Sequence, residues 1–372
     1  MLIGVPKEIK NREYRAGLTP ASVRELVVHG HSVVVETQLG AGIRVSDDDY
    51  RQAGAVVLDT AQEVFARAEL VVKVKEPQLH ECAMLREGQV LFTYLHLAAA
   101  PEITTALMNS GVTAFAYETV TGPQNTLPLL APMSEVAGRI SIQAGAHALE
   151  RAQGGSGILL GGVPGVAEAK VLIIGGGIVG DNAAYIAKGM GAEVTILDRS
   201  IPRLRQLDID YSGHVSCVYS TREAIEHYAL AADLVVGAVL LPGAAAPKLL
   251  TRDIISRMKP GSVVVDVAID QGGCFETSRP TTHEDPTYVV DEVVHYCVAN
   301  MPGAVPRTST YALNNATLPL VLQLATRGAG TVIREDADMM NGLNVHAGKI
   351  TCRPVAESLG HDYHAPLDAL GT

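Results

Sequence analysis

The sequence predicts an α/β protein of two domains, each built on a parallel sheet, with a cleft separating them. Three observations carry this. Short β-branched runs alternate with helical stretches along the chain, the pattern of parallel strands joined by crossover helices. The length of 372 residues exceeds what one hydrophobic core usually supports, and 47% apolar residues supply enough interior for two. Near the middle, the apolar run Val171-Leu172-Ile173-Ile174 empties into Gly175-Gly176-Gly177-Ile178-Val179-Gly180 and an alanine-rich helix, and a second apolar run then delivers Asp198.

From the N-terminus, residues 2–5 read as a strand, followed by a polar loop with Lys10, Arg12, Glu13 and Arg15. Thr19 is the expected N-cap of a helix to about His29, with Pro20 at its first position. Strands follow at 32–36, 55–58, 70–74, 89–94 and 112–117, and helices at 46–53, from Thr60 and at 101–109. Pro128 and Pro132 bracket a break. Residues 134–151 then read as a long helix with small residues Gly138, Ala144, Gly145 and Ala148 for close packing, ended by Gly154-Gly155-Ser156-Gly157. Beyond the glycine loop, strands are expected at 215–219, 234–239, 263–267, 288–290 and 295–298. Gly303 to Pro306 marks another break, after which a helix near 313–325 and the tail from Thr331 return to the first domain. The expected division is therefore 1–128 plus 307–372 against 129–306.

The glycine loop fits the G-x-G-x-x-G pattern, which gains its meaning from sitting between a strand and a helix. Gly175 permits the tight turn, Gly177 lets backbone approach a diphosphate, and Gly180 lets helix and strand pack closely. Asp198 is placed to accept hydrogen bonds from an adenosine ribose. The second domain is thus expected to be a Rossmann-like dinucleotide-binding domain, and the first a related α/β domain without a phosphate loop.

The net charge of −11 argues against nucleic acid or an anionic membrane as partner, because both require concentrated basic surface. Lys7, Glu8 and Lys10 interrupt the position of a signal-peptide core, and no apolar run has the length of a membrane span, so a soluble cytoplasmic protein is expected. Five cysteines, at 82, 217, 274, 297 and 352, are widely spaced and read as reduced thiols. His361-Asp362-Tyr363-His364 has metal-ligand types but no matching partners, and no metal site is expected.

In open α/β sheets ligands bind beyond the carboxyl ends of the strands. Four residues fall there: Arg15 after the first strand, Lys75 at the end of Val71-Val72-Lys73-Val74-Lys75, His96 after Leu91 to Leu95, and Asp270 after Val263 to Ile269. Taken singly, a loop arginine or lysine is usually solvated, and a histidine after an apolar run is as often structural as catalytic. As a set they suit a small amino or keto acid. Guanidinium grips carboxylate, ammonium polarises a carbonyl or imine oxygen, imidazole moves a proton, and carboxylate stabilises a cationic nitrogen.

Longer stretches carry a resemblance. They are Ile3-Gly4-Val5-Pro6-Lys7-Glu8, Glu13-Tyr14-Arg15 with Leu18-Thr19-Pro20, Val74-Lys75-Glu76-Pro77, Tyr94-Leu95-His96, and Pro132-Met133-Ser134-Glu135-Val136-Ala137-Gly138. The most specific are Asp266-Val267-Ala268-Ile269-Asp270-Gln271-Gly272-Gly273 and Ala299-Asn300-Met301-Pro302-Gly303. Over essentially its whole length the chain resembles the alanine dehydrogenase family. That resemblance implies reversible oxidative deamination of L-alanine to pyruvate and ammonium with NAD. It makes Arg15 and Lys75 substrate-binding residues and His96 and Asp270 the catalytic pair. Cofactor contacts would come from Ser134, Asp198, Arg203, Ser220, Val239, Leu240, Val267, Ala268, Ile269, Asp270, Arg279, Val298, Ala299, Asn300 and Met301. It also implies a homohexamer, in which the small-residue face of the 134–151 helix would pack between subunits. The alternative resemblance is to the NAD-binding component of proton-translocating nicotinamide nucleotide transhydrogenase, which shares the fold and the Asp198 loop but looks to lack counterparts of His96 and Asp270. Arg199 follows Asp198 where an uncharged residue is more usual. With Arg203 and Arg205 it offers partners to a ribose 2′-phosphate, but Asp198 repels that group, so NAD is expected over NADP.

Overall fold

A computed structural model describes residues 1–239 and 246–371. The chain divides into two compact units, Met1–Met133 with Val305–Thr372, and Ser134–Ala304. Six parallel strands open the first unit: β1 (Leu2–Val5), β2 (Ser32–Glu36), β3 (Val56–Leu58), β4 (Leu70–Val72), β5 (Val90–Thr93) and β6 (Thr113–Ala116). The second unit contains β7 (Lys170–Ile174), β8 (Glu193–Asp198), β9 (Ser216–Tyr219), β10 (Leu234–Gly237), β11 (Val263–Asp266), β12 (Thr287–Val290) and β13 (Val293–Tyr296). The chain then returns to the first unit with β14 (Leu343–His346) and β15 (Lys349–Ile350). The sheet orders are β15-β14-β6-β5-β4-β1-β2-β3 and β12-β13-β11-β10-β7-β8-β9.

The central strands are apolar except at their ends, where Thr93, Thr113 and Asp266 fall, and every residue of β5, β6, β10 and β11 is buried. Expectation and structure differ at the edges. β12, β14 and β15 are antiparallel, so each sheet is mixed. Two-residue turns make two of these pairs: Asp291 and Glu292 join β12 to β13, and Ala347 and Gly348 join β14 to β15, with positive φ at all four residues, while β14 lies antiparallel to β6 across the returning chain. Such turns match the twist of a hairpin, but neither carries the Asn-Gly or Asp-Gly pair that advertises one. Thus β13 begins at Val293 rather than His295, and β14 and β15 arise in a tail that showed no strand pattern.

Thr19 caps the helix Pro20–Val28 through its side chain, as the sequence indicates. The long helix runs Ala131–Ala148, earlier than expected, because Pro132 in a first turn lacks only a donor that would have no helical partner there. A Cβ on Gly138 would collide with the Val179 carbonyl oxygen, and one on Gly145 would lie 2.7 Å from Leu234 Cδ1. At these two positions the small-residue face is therefore used inside the second unit, not kept for a neighbouring subunit. The helix Pro306–Arg327 returns the chain to the first unit, where Asn314 Oδ1 accepts from Thr19 N and Ser22 Oγ while its Nδ2 donates to Gly17 O. All five cysteines are free thiols. Among the described residues, no helix is long and apolar enough to cross a membrane.

Candidate active site

In the second unit β7 lies between β10 and β8, so successive strands depart from it in opposite directions. That reversal is where open α/β sheets leave a crevice. Gly175 ends β7 with φ of 105°, and a Cβ there would sit 2.7 Å from Ala238 O, so the turn is pressed against the end of β10. A Cβ on Gly180 would overlap the Gly175 carbonyl oxygen, so only glycine seats the helix Ile178–Gly189 on its strand. Around Gly177, the N-cap, a Cβ would meet nothing within 4 Å. The three glycines thus have separate tasks, and the loop leaves open space at a helix N-terminus suited to a diphosphate.

Asp198 closes this cradle from the end of β8. Its Oδ2 accepts from Gly176 N and its Oδ1 from Ser200 N, both at 2.7 Å, which leaves lone pairs for ribose hydroxyls. Ser220 follows β9 and donates its backbone N–H to Asp198 O. Arg203 Nε donates to Gly176 O and Nη2 to Asp181 Oδ2, each at 2.6 Å, so it buttresses the glycine loop. Arg199 is exposed. Val239 follows β10, and Leu240 lies outside the described residues.

After β11, Val267, Ala268, Ile269 and Asp270 form the short helical turn Val267–Gln271, on which Asp270 is exposed. Asp266 shapes it. Fully buried, it accepts from Ala268 N, Cys274 N and Ser278 Oγ and so ties both ends of the loop to one carboxylate. Val298, Ala299, Asn300 and Met301 follow β13, with Asn300 in the left-handed region at φ 58°. Arg279 lies over the Tyr288 ring at 4.1 Å, and Ser134 is half-buried on the helix Ala131–Ala148.

The first unit has its own reversal, between β1 and β4. Arg15 follows β1, Lys75 follows β4 and His96 follows β5, so these three candidates hang from the ends of three adjoining strands. Asp270 belongs to the other unit. Arg15 is only 2% exposed, not the solvated arginine a loop usually holds. Its Nε and Nη2 each donate to Glu13 at 2.6 Å, and Nη1 faces Met133 Sδ at 3.1 Å. Burial works against the guanidinium charge, but Glu13 outweighs it and raises the pKa, keeping the cation charged.

Lys75 is half-buried. Its backbone N–H donates to Glu8 Oε1 and its carbonyl accepts from Thr93 Oγ1. Burial would raise the Glu76 carboxyl beside it, but Lys10 and Lys75 together hold it below the usual range. His96 is exposed and itself in the left-handed region at φ 50°. The Tyr94 ring stacks against the imidazole, 4° from parallel with centroids 5.8 Å apart, and the Tyr94 hydroxyl donates to Leu129 O. Burial pushes the Tyr94 phenol up, so it remains a neutral donor.

Beneath this rim lies a buried charge cluster. Lys73 Nζ, fully inaccessible, donates to Glu8 Oε2 at 3.2 Å and Glu81 Oε1 at 2.9 Å, while Glu8 Oε1 accepts from Val74 N at 2.6 Å. Burial pushes the Glu8 carboxyl up against the pull of Lys73. It would likewise lower the Lys73 ammonium, but Glu8 and Glu81 outweigh it and raise that pKa. Sequence reasoning singled out none of Glu8, Glu81, Lys73, Asp266 and Glu118 for a role at the site. Alternation hid Lys73 within a strand-like run, and the others signal nothing until strand order brings their partners close.

The profile described as "Alanine dehydrogenase/PNT, N-terminal domain" matches residues 4–137, and "Alanine dehydrogenase/PNT, C-terminal domain" matches residues 141–353. An alanine dehydrogenase of Halomonas elongata is 60% identical over 371 residues, covering 100% of both chains. A solved L-alanine dehydrogenase superposes with a TM-score of 0.94 at 53% identity, covering 97% of this chain and 99% of that one. A transhydrogenase from Sinorhizobium meliloti superposes with a TM-score of 0.80 at 25% identity, covering 95% and 99%.

Proposed function

The chain belongs to the alanine dehydrogenase/PNT family, and from that premise we propose that it catalyses reversible oxidative deamination of L-alanine to pyruvate and ammonium with NAD. The observation that carries the reading is the placement of Arg15, Lys75 and His96 after three adjoining strands of one sheet, in a chain whose other sheet ends in the glycine loop with Asp198 beside it. The transhydrogenase reading is the weaker, since that relative is 25% identical and the alanine dehydrogenases are 52% to 60% identical.

The cradle at Gly175, Gly177, Gly180 and Asp198 fits NAD, whose nicotinamide supplies the hydride acceptor. Arg15 holds the alanine carboxylate, its geometry set by the two bonds it donates to Glu13. Lys75 supports the oxygen that arrives when water adds at the oxidised carbon. His96 takes a proton from that water and returns one to the departing nitrogen. Asp270 stabilises the positive charge on nitrogen until ammonia leaves. In the test, the purified protein consumes NADH only when pyruvate and ammonium are both present. No consumption under those conditions rejects the reading.

Asp198 underlies the choice of NAD over NADP. Asp198→Ala removes the charge that repels a 2′-phosphate and leaves Arg199 exposed beside it. The NADPH-to-NADH ratio of dissociation constants should fall by about tenfold or more, the effect of roughly 1.4 kcal/mol. An unchanged ratio in fluorescence titrations would remove Asp198 as the selector. The family reading also extends to a cytoplasmic homohexamer, whose subunit number analytical ultracentrifugation measures.

A further inference from the structure

We infer that Glu118 is the positioning residue for His96, clamping the turn that carries the imidazole and placing a carboxylate beside its Nδ1. The inference rests on the reading of His96 as the proton carrier. Strand register supplies the geometry. β5 and β6 are parallel neighbours with Thr93 opposite Ala116, so Leu95 and Glu118 lie equally far beyond the paired ends. Glu118 Oε1 accepts from His96 N at 2.6 Å, and both carboxylate oxygens lie 3.2 Å from Leu95 N. Two successive backbone donors therefore converge on one side chain.

That convergence has a conformational purpose. His96 is not glycine yet occupies the left-handed region, which costs free energy and persists only where the surroundings impose it. The carboxylate provides that constraint, because relaxing the turn would withdraw both amides from it. The same oxygen stands 3.8 Å from His96 Nδ1. This is too long for a hydrogen bond but close enough to favour the tautomer with the proton on Nδ1. The Glu118 side chain is 15% exposed, so water screens its charge only partly. With the Tyr94 ring stacked alongside, the imidazole is held and oriented, and Nε2 is left to move protons at the substrate. Because Glu118 already receives the two amides, it acts through His96 rather than on substrate.

Steady-state kinetics in both directions, NADH titration and thermal melting of the full-length chain test this with Glu118→Gln, Glu118→Ala, His96→Ala and the two double variants. Glutamine keeps one acceptor for the His96 amide but removes the charge and turns an N–H toward the turn. Glu118→Gln should lower kcat by about tenfold, with KM for pyruvate and Kd for NADH within about twofold, because only orientation of the proton carrier is lost. Glu118→Ala should lower kcat further. Placed in the His96→Ala background, either substitution should cost less than about twofold more, the non-additivity of residues that act as a unit. A parental kcat in Glu118→Gln overturns the inference, and so does an equal loss with and without His96. If Glu118→Ala does not fold, the glutamine pair decides alone. Parental turnover in His96→Ala is a different failure: it rejects His96 as proton carrier and removes the basis for Glu118.

Discussion

Lys73→Met should lower the stability of the protein by about 3 to 5 kcal/mol, the usual consequence of removing one partner from a buried ion cluster. The ammonium is fully inaccessible and joins Glu8 to Glu81, so a side chain of similar volume leaves two carboxylates without their cation. Glu8 also accepts the Val74 and Lys75 amides, so the disturbance reaches the strand end that carries Lys75. The loss should depend on pH with a definite sign. Burial already holds the Glu8 carboxyl above its ordinary value of 4.5, and losing Lys73 raises it further. The native variant then binds more protons than the unfolded chain, so its stability falls as pH rises above the ordinary carboxylate range and recovers on acidification. Urea unfolding at several pH values measures both effects. A loss under about 1 kcal/mol at neutral pH would mean that the cluster contributes nothing beyond an apolar filling of the same volume.

Gly180→Val should abolish detectable NADH binding, because its side chain has no place except against the Gly175 carbonyl, which is backbone and has little freedom to retreat. The helix Ile178–Gly189 must then lift from β7 and carry its N-terminus away from the cradle. Gly177→Ala separates ligand from fold. Its φ of −69° suits any residue, and the added methyl meets no protein atom within 4 Å. Melting should therefore be unchanged while NADH affinity falls by about tenfold, because the methyl occupies the approach of the diphosphate. Parental affinity in Gly177→Ala would show that the ligand does not enter there, whatever Gly180→Val does to the helix.

The alanine dehydrogenase family was legible from short linear stretches, and the profile matches and full-length relatives bear that out. The parallel interior of each sheet was legible too. Buried strands are mostly apolar and so announce themselves, whereas the hairpin turns at Asp291-Glu292 and Ala347-Gly348 carry no Asn-Gly or Asp-Gly pair. Arg203 shows the limit for side chains. Its position after Asp198 suggests a cofactor contact, and only the structure shows that its Nε and Nη2 also hold Gly176 and Asp181.

What the sequence determined by itself is whatever a residue demands locally: apolar periodicity, a glycine where no Cβ fits, a cap before a helix, a polar residue at a strand's end. Which strand lies beside which was decided only in three dimensions. Placing β4 against β1 and β6 against β5 sets Lys75 near Arg15's strand, brings Glu8 to a lysine 65 residues away and brings Glu118 to an imidazole 22 residues away. Such pairings leave no mark along the chain, because a buried charge selects its partner by proximity across the sheet rather than by spacing in sequence.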